Sequence, residues 1–180
     1  MRTIFSTLIF LFLFTSQAFS QTDSKWKVPL LEVAYEGENE VKMKIDPGFR
    51  FADLENGDKT YRLFFHKNRP VLPFARIVDQ ETGKEIARGR GSYFFGNARF
   101  EFSDGREVKI KRIRNPNGYE IIGPYGPLFV VENHAVSHSM TYQESDFLTQ
   151  AHFLFSRIRE TQSPPAEIII KSTTTRVRMH

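Results

Sequence analysis

The chain of 180 residues has no cysteine. That excludes a disulfide framework, a lipid joined through cysteine sulfur and a cysteine nucleophile. It also lacks a G-x-S-x-G elbow, an obvious Ser/His/Asp order and a phosphate-cradling glycine loop leading into a helix. Long apolar runs are scarce. The longest, "IFSTLIFLFLF" (Ile4 to Phe14), has eleven residues, well short of the roughly 17 to 25 that cross a bilayer. Charge of one sign is lacking too: 25 Lys and Arg stand against 21 Asp and Glu, a net +4. Such a mild excess suits anionic lipid heads or an envelope polysaccharide and falls short of a nucleic-acid footprint.

What is present begins with an address. "MR", the apolar run and then "TSQAFS", with small residues at Ala18 and Ser20, have the form of a cleaved export signal over residues 1–20. The expected mature chain starts at Gln21 and is periplasmic or secreted; losing Arg2 takes one from the net charge. An exported domain without disulfides must hold together by burial alone. About 160 residues suffice for one core, since a chain near 150 residues buries roughly 70% of its surface. We therefore expect a single β-rich domain over 21–163 and a proline-started strand and basic tail over 164–180. No second hydrophobic span follows, so no transmembrane segment is expected in the mature chain.

From Leu31 to Tyr142 short alternating segments succeed one another: "LEVAY", "VKMKI", "YRLFFH", "FARIVD", "KEIARG", "ARFEF", "REVKIKRI", "YEII", "LFVVE" and "AVSHSMTY". They are rich in β-branched and aromatic residues and most are parted by Gly, Asn, Asp or Pro, the pattern of strands and tight turns. Their spacing predicts a mainly-β fold, an antiparallel barrel or sandwich of about 10–12 short strands, rather than a parallel sheet, which needs a helical crossover after nearly every strand. "DLENGDK", "DQETGKE" and "SDGREVKI" form a weak repeat in which Asp53, Asp79 and Asp104 are expected to open turns closed by Gly57, Gly83 and Gly105. A plain meander with such turns is the alternative to duplicated hairpins. "NPNG" (Asn115 to Gly118) is a further turn. "GPYGP" (Gly123 to Pro127) is a stiff bend unable to pair as a central strand, which either displays Tyr125 to a ligand or folds it back over the core.

"ESDFLTQAHFLFSRIRE" breaks the β pattern. Phe147, Leu148, Ala151, Leu154, Phe155 and Ile158 recur at spacings of three and four, so an apolar helix is expected over about 146–159. Ser145 or Asp146 can cap its start, and "SPP" stops it. Phe153 lies off the stripe and widens the apolar surface; Thr149, Gln150, His152 and Ser156 make the opposite, polar face. Buried in full, the six stripe residues contribute on the order of 10 kcal/mol before entropy is subtracted, too much to leave in water.

Hairpins carrying Asp…Gly turns ("DLENGDK", "DQETGKE", "SDGREVKI") followed by the helix "FLTQAHFLFSRI" resemble, over about Val41 to Ile158, the tubby C-terminal-like architecture shared by LURP-one-related proteins and phospholipid scramblases. The likeness is one of layout, without a diagnostic motif. It implies a closed barrel of about twelve strands around a hydrophobic helix, no lumen for a ligand, and phosphoinositide or phospholipid binding on the outside as a class. An export signal departs from that group, whose best-known members work inside cells. The rival layout is a lipocalin-like barrel, its helix packed outside and its interior holding a small apolar molecule.

Residues able to carry chemistry are few. His134 and His138 are four apart, which on a strand puts them about 13 Å apart, too far to share one metal ion; no metal and no cofactor is expected. His66 and His152 are expected on polar faces. Glu32, Glu101, Glu107, Glu120 and Glu132 lie on or beside strands, where a carboxylate pair for glycoside hydrolysis would have to meet in the fold. "GRGSYFFG" (Gly89 to Gly96) fits a bulge or hairpin connection. The candidate surface is basic: Lys109, Lys111, Arg112 and Arg114 in one strand, with Arg88 and Arg90 in the preceding unit. Lys109 and Lys111 point outward opposite Val108 and Ile110, and Arg112 and Arg114 join them if a bulge resets the register. Such a strip can hold phosphate or sulfate groups, or simply guard a solvated strand against aggregation. The expectation is an exported, non-catalytic binding module for lipid or another anionic envelope component. A structural or adhesive envelope protein, a lipocalin-like carrier and a hydrolase on a β scaffold are the alternatives.

Overall fold

A computed structural model of the chain describes residues 34–35, 41–115, 117–132, 135–137, 140–141, 143–162 and 168–170. The expected export signal, Glu32, His134, His138 and residues 171–180 lie outside them.

A two-residue strand, β1 (Ala34–Tyr35), comes first. Nine strands then run as a meander: β2 (Val41–Ile45), β3 (Phe51–Asn56), β4 (Lys59–Phe65), β5 (Ala75–Asp79), β6 (Glu85–Arg90), β7 (Arg99–Phe102), β8 (Glu107–Ile113), β9 (Gly118–Gly123) and β10 (Gly126–Glu132). After them come β11 (Ala135–Val136), β12 (Met140–Thr141), the helix α1 (Glu144–Thr161) and β13 (Ile168–Ile170). Each strand of the meander pairs antiparallel with the next. β11 adds beyond β10 and β13 beside β2, while β1 and β12 pair in parallel as a separate two-stranded sheet.

The expected mainly-β class with one C-terminal helix stands, but the ladder does not close into a barrel. Among the described residues nothing pairs β11 with β13. These outer strands, two and three residues long, offer too few backbone groups to carry a seam. The sheet nevertheless curls around the helix. Phe65 on β4, Phe100 on β7 and Phe129 on β10 all set their rings against His152, Phe153 or Phe155 of α1.

Period-two alternation turns Val41, Met43, Leu54, Leu63, Ile77, Phe100, Val108, Ile110 and Ile121 inward, each essentially fully buried. Two of the three turn expectations hold. The Asp79 carboxylate accepts from the Thr82 amide and hydroxyl with Gly83 at φ 68°, and Asp104 accepts from the Arg106 amide with Gly105 at φ 87°. Asp53 is the exception. It sits within β3 and ion-pairs across the ladder with Arg62, while Gly57 and Asp58 alone make the turn. Pro127 pairs with Ile122 beside a register shift; an irregularity of this kind accommodates a proline inside β10.

α1 matches the expected stripe: Phe147, Leu148, Ala151, Leu154, Phe155 and Ile158 are all buried, and Phe153 with them. Its start differs, with Gln143 at the N-cap and no side-chain cap; Ser145 and Asp146 lie inside the first turn. The larger correction concerns the polar face. Thr149, Gln150 and His152 are as buried as the stripe, because sheet surrounds the helix on that side also. Each has an internal partner: the Thr149 hydroxyl donates to the Ser145 carbonyl, the Gln150 amide to the Ser137 carbonyl, and His152 bonds to the Phe64 backbone. These bonds offset part of the cost of burial, although Gln150 Oε1 and His152 Nε2 stay without a partner among the described residues.

Candidate functional site

The meander sorts its connections to two ends. The turns β3–β4, β5–β6, β7–β8 and β9–β10 share one end with the start of α1, where Glu144 accepts from Lys59 and from the Tyr61 hydroxyl. The connections β2–β3, β4–β5, β6–β7 and β8–β9 share the other end with the last turns of α1.

The basic strip on the outer face is largely neutralised. Arg88 pairs with Glu85 at 2.6 Å, Arg90 with Glu101 at 3.2 Å and Lys111 with Glu120 at 3.6 Å. Arg99 bridges Glu101 and Glu107, and Arg76 reaches Glu85. These pairs, some within a strand and some between neighbours, make the face a lattice of alternating charge. Of the proposed residues, Lys109, Arg112 and Arg114 are exposed and form no ion pair among the described residues. The expected bulge is absent: β8 keeps one register with β9 from Lys109 opposite Ile122 to Ile113 opposite Gly118. Arg112 is exposed although it shares the inward parity of Val108 and Ile110, because β7 stops pairing with β8 at Lys109 and the core ends there.

Among the described residues, Glu101, Glu107 and Glu120 do not form a free carboxylate pair. Glu101, Glu107 and Glu120 are in ion pairs. Desolvation works to raise the Glu101 carboxyl, but hydrogen bonds from Arg90 and Arg99 outweigh it and hold it below the usual carboxylate range. No cluster of three metal-ligating side chains exists among the described residues. His66 is exposed as expected. Tyr125 is 91% exposed at the β9–β10 turn, displayed rather than folded back, at the end away from Arg112 and Arg114.

The end that gathers the last turns of α1 holds what the sequence reading passed over. "GRGSYFFG" is the β6–β7 connection. It places Phe94 at 83% and Phe95 at 77% exposure, ring against ring, on its tip. The preceding Tyr93 folds down onto Tyr119, centroids 4.4 Å apart, and Tyr119 is the ladder partner of Arg112. On the far side Gly96 and Asn97 line a groove with Lys109 and Lys111. Phe94 and Phe95 therefore share this end of the sheet with Lys109, Arg112 and Arg114. The β4–β5 connection adds Lys67, Arg69 and a half-exposed Val71 to the same end. Two glycine-flanked phenylalanines in a connection whose pattern calls for polar residues were the available signal.

Beneath these connections lies a cavity of about 350 Å³, within the roughly 300–1,000 Å³ of small-molecule sites. Phe65, Leu72, Pro73, Tyr93, Tyr119 and Phe153 supply apolar walls, and His152, Ser156, Arg157 and Glu160 come from α1. Gly89 lets the Leu72 wall approach: a β-carbon there would lie 1.9 Å from the Leu72 carbonyl oxygen. His152 is 2% exposed, not on a solvent-facing side as expected. Burial pushes its pKa down to about 4 against the opposing hydrogen bond to Phe64, so the imidazole is neutral near pH 7. Its Nε2 and the Nε of Arg157 are buried without a hydrogen-bond partner, while Arg157 also donates to Glu160 at 2.7 Å. Burial likewise raises the Tyr93 phenol well above its ordinary value. Ser156 is one helical turn from His152, and no hydrogen bond joins them. The arrangement offers a largely apolar slot with Ser156, Arg157 and Glu160 of α1 along one wall. Set against known proteins, the chain matches no family model, no curated protein and no solved structure.

Proposed function

We propose that the protein is an exported binding module that docks on anionic lipid membranes with the end carrying Phe94 and Phe95. One observation carries the reading: two adjacent phenylalanines, strongly exposed, at the end of the sheet that also carries Lys109, Arg112 and Arg114, which have no ion pair among the described residues. Water disfavours such side chains, and an acyl-chain boundary accepts them at about 1.5–3 kcal/mol each. Cations near an anionic surface contribute about 1 kcal/mol apiece. Greasy tips ringed by positive charge thus gain from both layers of a lipid interface. The basic face of the sequence reading contracts to the cations at this end, since the remainder is paired with acids. No helix among the described residues is long and apolar enough to cross a membrane; the docking is peripheral.

A helix sheathed by a meander of hairpins also supports kinship with the tubby-like architecture, although the open ladder departs from its closed barrel. With the helix filling the interior, a lipocalin-type lumen loses support. The test is co-sedimentation of the purified chain with vesicles containing about a third phosphatidylglycerol. Binding should fall at least tenfold in a Phe94→Ser, Phe95→Ser variant and weaken as salt rises. Unchanged sedimentation of that variant refutes the reading.

A further inference from the structure

Tip and cavity belong to one segment. Tyr93 lines the cavity, and the next two residues, Phe94 and Phe95, are the exposed tip. Pro70 and Val71 of the β4–β5 connection also line it, and both are exposed. Exposed lining residues mark where a cavity meets solvent, so Pro70, Val71, Pro73 and Glu160 mark the mouth. Phe65, Leu72 and Phe153, each at most 5% exposed, mark the floor. The mouth is thus carried by the same end of the protein as Phe94 and Phe95.

The walls decide what can enter. His152 Nε2 and Arg157 Nε lie beneath the surface, out of reach of an occupant. Arg157 Nη1 donates to Glu160 at 2.7 Å, so the two charges of the lining answer each other. A charged head drawn inside would leave water for walls with no unpaired charge to offer, which is costly. An apolar chain gives up no hydrogen bond on entering, and both surfaces shed water. The volume of about 350 Å³ is at the lower end of small-molecule sites and suits a single chain. Acyl chains are the apolar matter that lies just beneath lipid headgroups, at the depth where an interfacial aromatic tip rests.

We infer that this cavity takes the end of one acyl chain of a membrane lipid, its terminal methyl against Phe65, Leu72 and Phe153 and its head left outside beyond Val71. The inference rests on the lipid-docking reading for the source of the chain, and on the cavity's own walls for its chemistry. Selectivity then lies in the length of the chain and not in the head.

The experiment titrates the full chain with hexanol, octanol, decanol and dodecanol, with octyl glucoside and with phenol. One molecule should bind per chain. Affinity should rise about fourfold per added methylene and stop rising once the slot is full. Octanol and octyl glucoside should agree within about threefold, a smaller step than one methylene makes. Ser156→Phe, which fills the slot, should abolish binding. In the unsubstituted protein, nuclear Overhauser contacts should join the terminal methyl of octanol to Leu72 and Phe153 and its hydroxyl-bearing methylene to Val71; these keep the test decisive if Ser156→Phe fails to fold. Absence of saturable binding, the reverse pattern of contacts, or a preference governed by the head overturns the inference. Tighter binding of phenol than of hexanol overturns it too, by assigning the slot to a ring. The Phe94→Ser, Phe95→Ser variant separates the two proposals. It should keep octanol binding in solution while losing vesicles, and a loss of both would overturn the assignment of the chain to the cavity. Octanol binding by an unsubstituted protein that ignores vesicles would refute the docking reading and, with it, the membrane as the source.

Discussion

Acidification should destabilise this protein through His152, and the size of the effect follows from where the ring sits. Buried among Phe65, Phe100 and Phe153, the imidazole has its pKa lowered from 6.5 to about 4. The unfolded chain therefore binds a proton that the folded one refuses as pH falls from 6.5 towards 4. Above 6.5 both states are neutral and the term is flat; below it, folding stability drops. Each pH unit of difference corresponds to about 1.4 kcal/mol, so the loss reaches about 2 kcal/mol near pH 5 and about 3 kcal/mol once both states are protonated. The perturbation is His152→Leu, of similar volume and without a titrating group. Urea unfolding followed by far-ultraviolet circular dichroism, at neutral pH and near pH 5, gives the stability of each protein. The substitution costs a pH-independent amount for the lost bond to Phe64, and comparison across pH removes it. The stability gap between the proteins should close by about 2 kcal/mol on going to pH 5. A gap that stays constant would mean that His152 titrates normally and is not held neutral by burial.

Gly89→Ala should destabilise by roughly 1–3 kcal/mol, since its β-carbon would meet the Leu72 carbonyl; a lowered urea midpoint checks it. Asp46 should titrate near pH 2, because hydrogen bonds from the Arg50 side chain hold its carboxyl low. Its contribution is present above the ordinary carboxylate range and disappears as pH falls towards 2, and Arg50→Gln should return the carboxyl resonance to a normal midpoint. Arg112→Gln with Arg114→Gln should reduce vesicle binding at low salt by about thirtyfold, at about 1 kcal/mol per cation, and by much less at high salt; equal losses at both salts would place these residues outside the contact.

The order of hairpins was legible in the sequence because each depends on neighbours. Val108 and Ile110 alternate with Lys109 and Lys111, and Asp79 and Gly83 lie within one turn of each other. The helix was legible for the same reason, its stripe being a matter of spacing along one segment. The fate of its other face was not. Thr149, Gln150 and His152 are polar residues at positions that face water on any helix packed on one side, and nothing local says that sheet will cover them. Asp53 was misplaced because the same residue that opens a turn by a short-range bond can also pair across a ladder with Arg62. The basic strip failed likewise, since Arg90 and Lys111 meet their acids, Glu101 and Glu120, on neighbouring strands.

What the sequence by itself determined is therefore the set of elements: a run of short antiparallel strands and one apolar helix, each dictated by side-chain period, turn residues and breakers within a few positions. The tertiary structure alone decided that the sheet curls around the helix without closing, that His152 is buried neutral with one nitrogen unsatisfied, and that Phe94 and Phe95 share an end with Arg112, Arg114 and a cavity. Those outcomes depend on contacts such as Phe65 with His152, 87 residues apart in the chain. Burial and charge pairing at such range are properties of the assembled packing, which no local pattern encodes.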